Sequence, residues 1–241
     1  MLALMWPAAE IARIAAEALE ARADALRLEQ AVRGLDAMPE IQFHPLLAAG
    51  FEAAGFGVLR EHPYPGQPGR RPRHAERERC DLVLTPSPAM TIRDPVAELK
   101  ARDAVAGTLF APLADTLAVS PGIGPDEAFW LEGKLVGQFC FTSGVPGPNR
   151  AYSSELLSIV TADIPKLARD RLIRHAALMV ILFSADAATA EHDLAAFIHR
   201  CLDRGLPVAS PDFCRFPIPD LIGNTECTVC LTPVRPDHPE A

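Results

Sequence analysis

One uninterrupted apolar run, residues 176–183, constrains the fold more than any other segment of the chain. It is much shorter than the roughly 20 apolar residues that span a bilayer, so it predicts a buried strand and no membrane association. A strand buried on both faces lies inside a sheet that is covered by helices. The run therefore favours an α/β protein.

Hydrophobic periodicity and Gly/Pro breaks predict the other elements. Residues 7–35 show helical spacing and form an N-terminal helical arm (domain 1–36), which is either a cap on the core or a dimerisation arm. A second helix begins near Pro39 and ends at Gly55. The predicted strands are 57–64, 80–85, 128–141, 177–184, a short one at 206–209, and 225–234; the later helices are 153–175, interrupted near Pro165, and 189–204.

This order of elements predicts one α/β domain over residues 37–241, with an inserted segment at about 89–127. Three consecutive strands, a crossover helix and a further strand imply a central mixed sheet flanked by helices on both faces. The N-terminal helix offers a surface to a second copy of the chain or to a protein partner.

Charge and cysteine content limit the function classes. The net charge is −8 and the isoelectric point about 5.4, which argues against broad nonspecific binding of nucleic acid. Basic residues are nevertheless concentrated in the loop around Arg71 and Arg73 and again near Arg169. Six scattered cysteines suit a reducing compartment, and no basic residue precedes the apolar N-terminus, so we expect a cytoplasmic protein.

Asp81, Glu132 and Lys134 form the candidate site. Asp81 lies in the middle of a predicted strand, and Glu132 and Lys134 lie two apart in the next one, so their side chains share a face. Carboxylates hold a hard divalent cation, and the carbonyl of Gly133 can add a further oxygen ligand. A lysine beside such an ion can orient the attacking water or offset transition-state charge. These parts suffice for metal-assisted phosphodiester hydrolysis.

Asp81 after a basic loop, then Glu132-Gly133-Lys134 in a strand, then a helix and a buried strand, resembles the PD-(D/E)XK nucleases, the restriction-endonuclease-like superfamily. The resemblance spans residues 39–211 and implies a restriction-endonuclease-like core. It implies Mg²⁺ or Mn²⁺ on Asp81 and Glu132, a Lys134 that positions or activates the water, and Glu40 as a helical acid near the metal. DNA is the implied partner, with Gln138, Arg71, Arg73 and Arg169 expected to contact it.

Several alternatives stay open at this point. Glu98-Leu99-Lys100 is a rival motif, although its surroundings are typical of a helix, where residues two apart do not share a face. Cys227 and Cys230 have the spacing of half a zinc site but lie in a predicted strand. Asp163 and Lys166 are interpreted as a surface or interface pair on the crossover helix.

Two functions compete, and a third, an unrelated α/β hydrolytic enzyme, lacks a recognisable nucleophile. The first is a metal-dependent endonuclease or exonuclease that hydrolyses phosphodiester bonds, with DNA as the expected substrate. The second is a catalytically inactive module of the same fold that binds nucleic acid or a protein partner as an accessory subunit. The set of Asp81, Glu132 and Lys134 favours the first, whereas the acidic charge and Gly133 favour the second.

Overall fold

A six-stranded mixed sheet forms the middle layer of the protein. The computed structural model describes residues 6–66, 78–106, 108–109 and 121–237. The sheet order is β1-β2-β3-β6-β8-β7. Its strands are β1 (Gly57–Pro63), β2 (Arg79–Thr85), β3 (Phe129–Gly137), β6 (His175–Ser184), β7 (Asp212–Pro217) and β8 (Glu226–Val234). A separate hairpin consists of β4 (Phe139–Thr142) and β5 (Val145–Pro148).

One parallel pair lies at the centre of this sheet. β3 and β6 run parallel over nine residue pairs, from Phe129↔His175 to Gly137↔Phe183. The other neighbours are antiparallel. From Ala176 to Ser184, every residue of β6 is buried, which is the pattern of a strand covered on both faces. The predicted mixed sheet with flanking helices is therefore confirmed.

Helices α1 (Ala8–Leu28) and α2 (Phe43–Ala53) cover one face of the sheet. The apolar stripe of α1 packs against the sheet. Gly50 lets α2 approach α1 closely, because a Cβ at this position would lie 2.6 Å from the Cβ of Ala18 on α1. The N-terminal helix thus caps the core. Whether it also binds a second copy or a protein partner stays a prediction.

The opposite face is covered by α4 (Ile164–Arg169) and α5 (Ala187–Asp203). In α4, Pro165 occupies the first turn, where its missing N–H costs nothing. Asp186 caps α5, because its carboxylate accepts from the Thr189 N–H at 2.7 Å. A further helix, α3 (Pro95–Val105), follows β2 and has no buried residue.

Some predicted elements were wrong in extent. The single helix at 153–175 is instead one α-turn, a π-turn and a 3₁₀ turn before α4, and His175 begins a strand. The loop after β3 is a hairpin, whose turn residues Ser143 and Gly144 have φ values of 53° and 83°. The predicted strand at 206–209 is a single bridge at Val208, and β7 was missed.

None of the described helices combines the length and apolarity that a bilayer span requires.

Candidate functional site at a fork between two strands

The site lies where the ladder between β2 and β3 ends. Three residue pairs join these strands, from Leu84↔Phe129 to Leu82↔Leu131, whereas β3 continues along β6 as far as Gly137. Asp81 and Glu132 come directly after the last of these pairs. We call this place, with Asp81, Glu132, Gly133 and Lys134, the fork. Backbone groups and side chains at the fork are thus not used in the β2–β3 ladder and are available for other contacts.

Asp81 is held by the backbone of the next strand. Its Oδ2 accepts a hydrogen bond from the Gly133 N–H at 2.8 Å, and its side chain is 16% exposed. The bond fixes one carboxylate oxygen beside β3. The other oxygen, Oδ1, faces His44 on α2, with 4.0 Å between Oδ1 and the imidazole Nε2.

Glu132 is a buried carboxyl group, with 2% of the residue exposed. Its Oε1 accepts hydrogen bonds from the Tyr64 hydroxyl and, at 2.8 Å, from Lys166 Nζ on α4. Burial and the negative charge of Asp81 raise the pKa of Glu132 to about 7, against the lowering effect of Lys166 and Tyr64. At neutral pH the Glu132 carboxyl group is therefore partly protonated, and a divalent cation can take the place of this proton.

Lys134 lies on the same face of β3 as Glu132. Its Nζ is 3.2 Å from Asp163 Oδ2 and 3.7 Å from Glu40 Oε1. Burial lowers the pKa of Lys134, but the carboxylates of Asp163, Glu40 and Asp81 outweigh it, and the net pKa is raised. Lys134 is therefore a cation at neutral pH, able to donate hydrogen bonds and to offset negative charge.

A second group of possible ligands lies beside Asp81. One ligand atom each from His44, Glu61 and Asp81 lies within 4.8 Å of the others. The Nδ1 of His44 is 3.7 Å from Glu61 Oε1. Glu61, in β1, has a φ of 51°, a left-handed conformation that a residue other than glycine adopts at some cost. Strain of this kind is often found at functional sites.

The site as a whole is rich in negative charge. Lys166 also lies over the Tyr64 ring, 4.7 Å from its centroid, which positions the ammonium group next to Glu132. Among the described residues, five carboxyl groups gather here against two lysines, Lys134 and Lys166. The lysines pair with Glu40, Glu132 and Asp163, and Glu61 and Asp81 lie beside His44. The excess of carboxylate over ammonium favours a bound cation.

The structure brings together four of the residues chosen from the sequence, namely Asp81, Glu132, Lys134 and Glu40. Glu40 reaches Lys134 from a 3₁₀ turn (Glu40–Gln42) just before α2. Gly133 supplies its N–H to Asp81. A role for its carbonyl as a metal ligand stays a prediction.

Gln138 and Arg169 are the two predicted nucleic-acid contacts that the structure describes. Gln138 follows β3, and its Oε1 accepts from the Ala185 N–H at 2.9 Å, which ties β3 to the turn after β6. Arg169 is exposed at the end of α4. Arg71 and Arg73 lie outside the described residues. All three arginines and Gln138 stay predictions as DNA contacts.

Five site residues were missed by sequence reasoning. Asp163 and Lys166, predicted to be a surface or interface pair, instead point at Lys134 and Glu132. Their signal in the sequence is a spacing of three residues around Pro165, which alone does not indicate a site. The other missed residues sit on α2, in β1 and just after β1: His44, Glu61 and Tyr64.

The rival patterns are explained by the fold. Glu98 and Lys100 lie on α3, where residues two apart point in different directions. Cys227 and Cys230 lie three apart on β8 and belong to opposite hydrophobic layers, so they do not form half a zinc site. All six cysteines are free.

No family model, curated protein or solved structure matches this chain.

Proposed function

We propose that this protein is a metal-dependent nuclease that hydrolyses phosphodiester bonds, with DNA as its expected substrate. The observation that supports this most is the grouping of Asp81, Glu132 and Lys134 at one fork of a mixed sheet. Two neighbouring carboxylates and a charged lysine are the parts that metal-assisted hydrolysis requires of a protein. The resemblance to PD-(D/E)XK nucleases rests on the same three residues, on Glu40 and on the order of the elements.

The donor set at the fork fits Mg²⁺ or Mn²⁺. Glu132 and Asp81 are carboxyl groups close enough that the charge of one raises the pKa of the other. Such a pair is stabilised by a proton or by a cation between the two groups. When bound, a divalent ion supplies Lewis-acid activation of the phosphate and a lower pKa for a bound water.

The chain's own residues hold and balance this arrangement. The Gly133 N–H orients Asp81, while Tyr64 and Lys166 orient Glu132. Lys134, as a cation with a raised pKa, acts by donating hydrogen bonds to a water or a phosphate oxygen and by offsetting negative charge. A protonated lysine cannot serve as the general base, so we assign it a positioning and electrostatic role.

A second candidate function is a catalytically inactive module of this fold that binds nucleic acid or a protein partner. It is favoured by the ion pairs of Lys134, which connect it to Asp163 and Glu40. A substrate phosphate has to compete with these carboxylates. The net charge of −8 points the same way, because an acidic protein binds a polyanion weakly without a bound cation or a partner.

The experiment is cleavage of linear, circular and single-stranded DNA and of RNA, each with Mg²⁺ or Mn²⁺. We compare the wild type with Lys134→Met and Glu132→Gln. A matched control is Lys100→Met, which removes an exposed lysine of the rival motif on α3. We expect Lys134→Met and Glu132→Gln each to lower the cleavage rate about 100-fold or more, as the loss of one electrostatic or metal-holding group does.

Lys100→Met should cleave like the wild type. If Lys134→Met retains the wild-type rate, Lys134 has no part in catalysis and the proposed site is wrong. If the folded wild type cleaves none of these substrates with either ion, the inactive module is the better account.

A further inference from the structure

A cluster of one imidazole and two carboxylates lies between α2, β1 and β2. His44 is on α2, Glu61 on β1 and Asp81 on β2, so three separate elements each contribute one side chain. The ring nitrogens of His44 are 3.7 Å from a Glu61 oxygen and 4.0 Å from an Asp81 oxygen. These distances are too long for hydrogen bonds.

The two distances end on different ring nitrogens, Nδ1 and Nε2, and an imidazole gives only one nitrogen to an ion, so the fit to a common ion is judged from one ligand atom of each residue. Atoms bound at about 2.1 Å from a metal lie about 3.0 Å apart at right angles and about 4.2 Å apart on opposite sides. One ligand atom from each of the three residues lies within 4.8 Å of the others. The grouping is looser than a formed coordination sphere, and Glu61, whose side chain is 46% exposed, has the most freedom to adjust.

His44 gives independent evidence for a ligand. Its side chain is 8% exposed, and its Nε2 is buried with no hydrogen-bond partner. A buried polar atom without a partner costs about 1–3 kcal/mol, and such atoms in folded proteins often mark a functional role or a bound ion. The nitrogen faces Asp81, the residue that also belongs to the fork.

Gly133 leaves space at the same place. A Cβ at this position would lie 3.8 Å from Asp81 Oδ2 and 4.0 Å from His44 Nε2, in the region that these two side chains border. Because glycine has no side chain, no Cβ occupies the place between these two side chains. Glu61 completes the cluster from a left-handed backbone conformation, with a φ of 51°.

From these observations we infer that His44, Glu61 and Asp81 bind a divalent transition-metal ion, and that the imidazole selects Mn²⁺ over Mg²⁺. Mg²⁺ is held almost entirely by oxygen, whereas first-row transition metals accept imidazole nitrogen. The inference deepens the proposed function and rests on it in taking Asp81 as a metal ligand. It assigns two further ligands, on the α2 side of the sheet.

The test is binding of Mn²⁺ and Mg²⁺ to the full chain without nucleic acid, measured by titration calorimetry. His44→Leu removes the nitrogen but keeps an apolar side chain in a buried position, and Glu61→Gln removes a charge at a half-exposed one. Matched controls are His199→Leu on α5 and Glu52→Gln on α2, both at exposed positions. Pulsed electron paramagnetic resonance of bound Mn²⁺ reports whether a ¹⁴N nucleus is a ligand.

We expect the wild type to bind Mn²⁺ at least 10-fold more tightly than Mg²⁺ and to show ¹⁴N coupling. His44→Leu and Glu61→Gln should each weaken Mn²⁺ binding about 100-fold, since even groups that only support a ligand contribute 10–100-fold. His44→Leu should also lose the ¹⁴N coupling and the preference for Mn²⁺. Both controls should bind like the wild type.

Mn²⁺ bound without ¹⁴N coupling, or with unchanged affinity in Glu61→Gln, overturns the inference. If His44→Leu does not fold, as judged by circular dichroism, the wild-type ¹⁴N signal and Glu61→Gln still decide. The outcome is separate from that of the proposed function. A protein that binds Mn²⁺ through His44 but cleaves nothing refutes the nuclease alone, and one that cleaves with unchanged Mn²⁺ binding in both variants refutes this site alone.

Discussion

Replacing Glu132 by glutamine tests whether the ionised form of Glu132 is destabilised at the fork, where a second carboxyl group, that of Asp81, lies beside it. Glutamine has nearly the same shape, and its amide oxygen can still accept from Tyr64 and Lys166, which bind Glu132 Oε1. The change therefore removes mainly the ionisable group. In the metal-free protein we expect Glu132→Gln to be less sensitive to pH than the wild type.

The direction follows from the pKa of Glu132, which burial and the charge of Asp81 raise from 4.5 to about 7. Between these values the folded protein keeps a proton that the unfolded chain has already lost. Stability is thus fully present below about pH 4.5 and falls as the pH rises to about 7. Each pH unit in this interval corresponds to about 1.4 kcal/mol, so the wild type loses up to about 3 kcal/mol through this one group.

The assay is urea unfolding followed by tryptophan fluorescence at pH 5, 6, 7 and 8 with a chelator present, since Trp130 is fully buried in the core. Asp36 and Glu226 also have raised pKa values, but they contribute equally to both proteins. The difference between the two proteins therefore isolates Glu132. Parallel stability curves from pH 5 to pH 8 would refute the argument that burial and Asp81 destabilise the Glu132 carboxylate.

Two further predictions concern the neighbouring backbone. Glu61→Gly should raise the free energy of urea unfolding by about 1 kcal/mol, because glycine adopts a φ of 51° without strain. The same substitution should abolish the tight Mn²⁺ binding. If Glu61→Gly is no more stable than Glu61→Gln, the backbone at this position is unstrained. Gly133→Ala should leave the free energy of unfolding within about 0.5 kcal/mol of the wild type, since the added Cβ makes ordinary contacts at 3.8 and 4.0 Å. It should weaken Mn²⁺ binding about 10-fold in calorimetry. Unchanged affinity would show that the ion does not use the space beside Gly133.

The sequence was sufficient to predict a mixed sheet covered by helices on both faces, although it did not predict the edge strand β7. Residues 176–183 form a strand that is buried on both faces, because an uninterrupted apolar run can be stable only between two layers of side chains. The alternation in residues 129–137 likewise placed Glu132 and Lys134 on one face, since successive strand residues point to opposite sides. Both are local properties of the chain.

Local patterns failed where a residue's role depends on a distant partner. Asp163 and Lys166 looked like a solvated pair, yet they lie against Lys134 and Glu132, about thirty residues away in sequence. The helix predicted for 153–175 is divided into short turns, and this brings the two side chains to the fork. Nothing in the spacing of the two residues specifies that approach.

The candidate metal ligands likewise include one residue that the sequence predicts and two that only the tertiary structure brings to the site. The sequence identified Asp81 through its position in a strand before Glu132, but it did not connect Asp81 with His44 or Glu61. Those contacts depend on how α2 packs on the sheet and on the left-handed backbone at Glu61. Periodicity determines which face of an element a residue occupies, whereas only tertiary packing decides which charges meet and therefore what a site can bind.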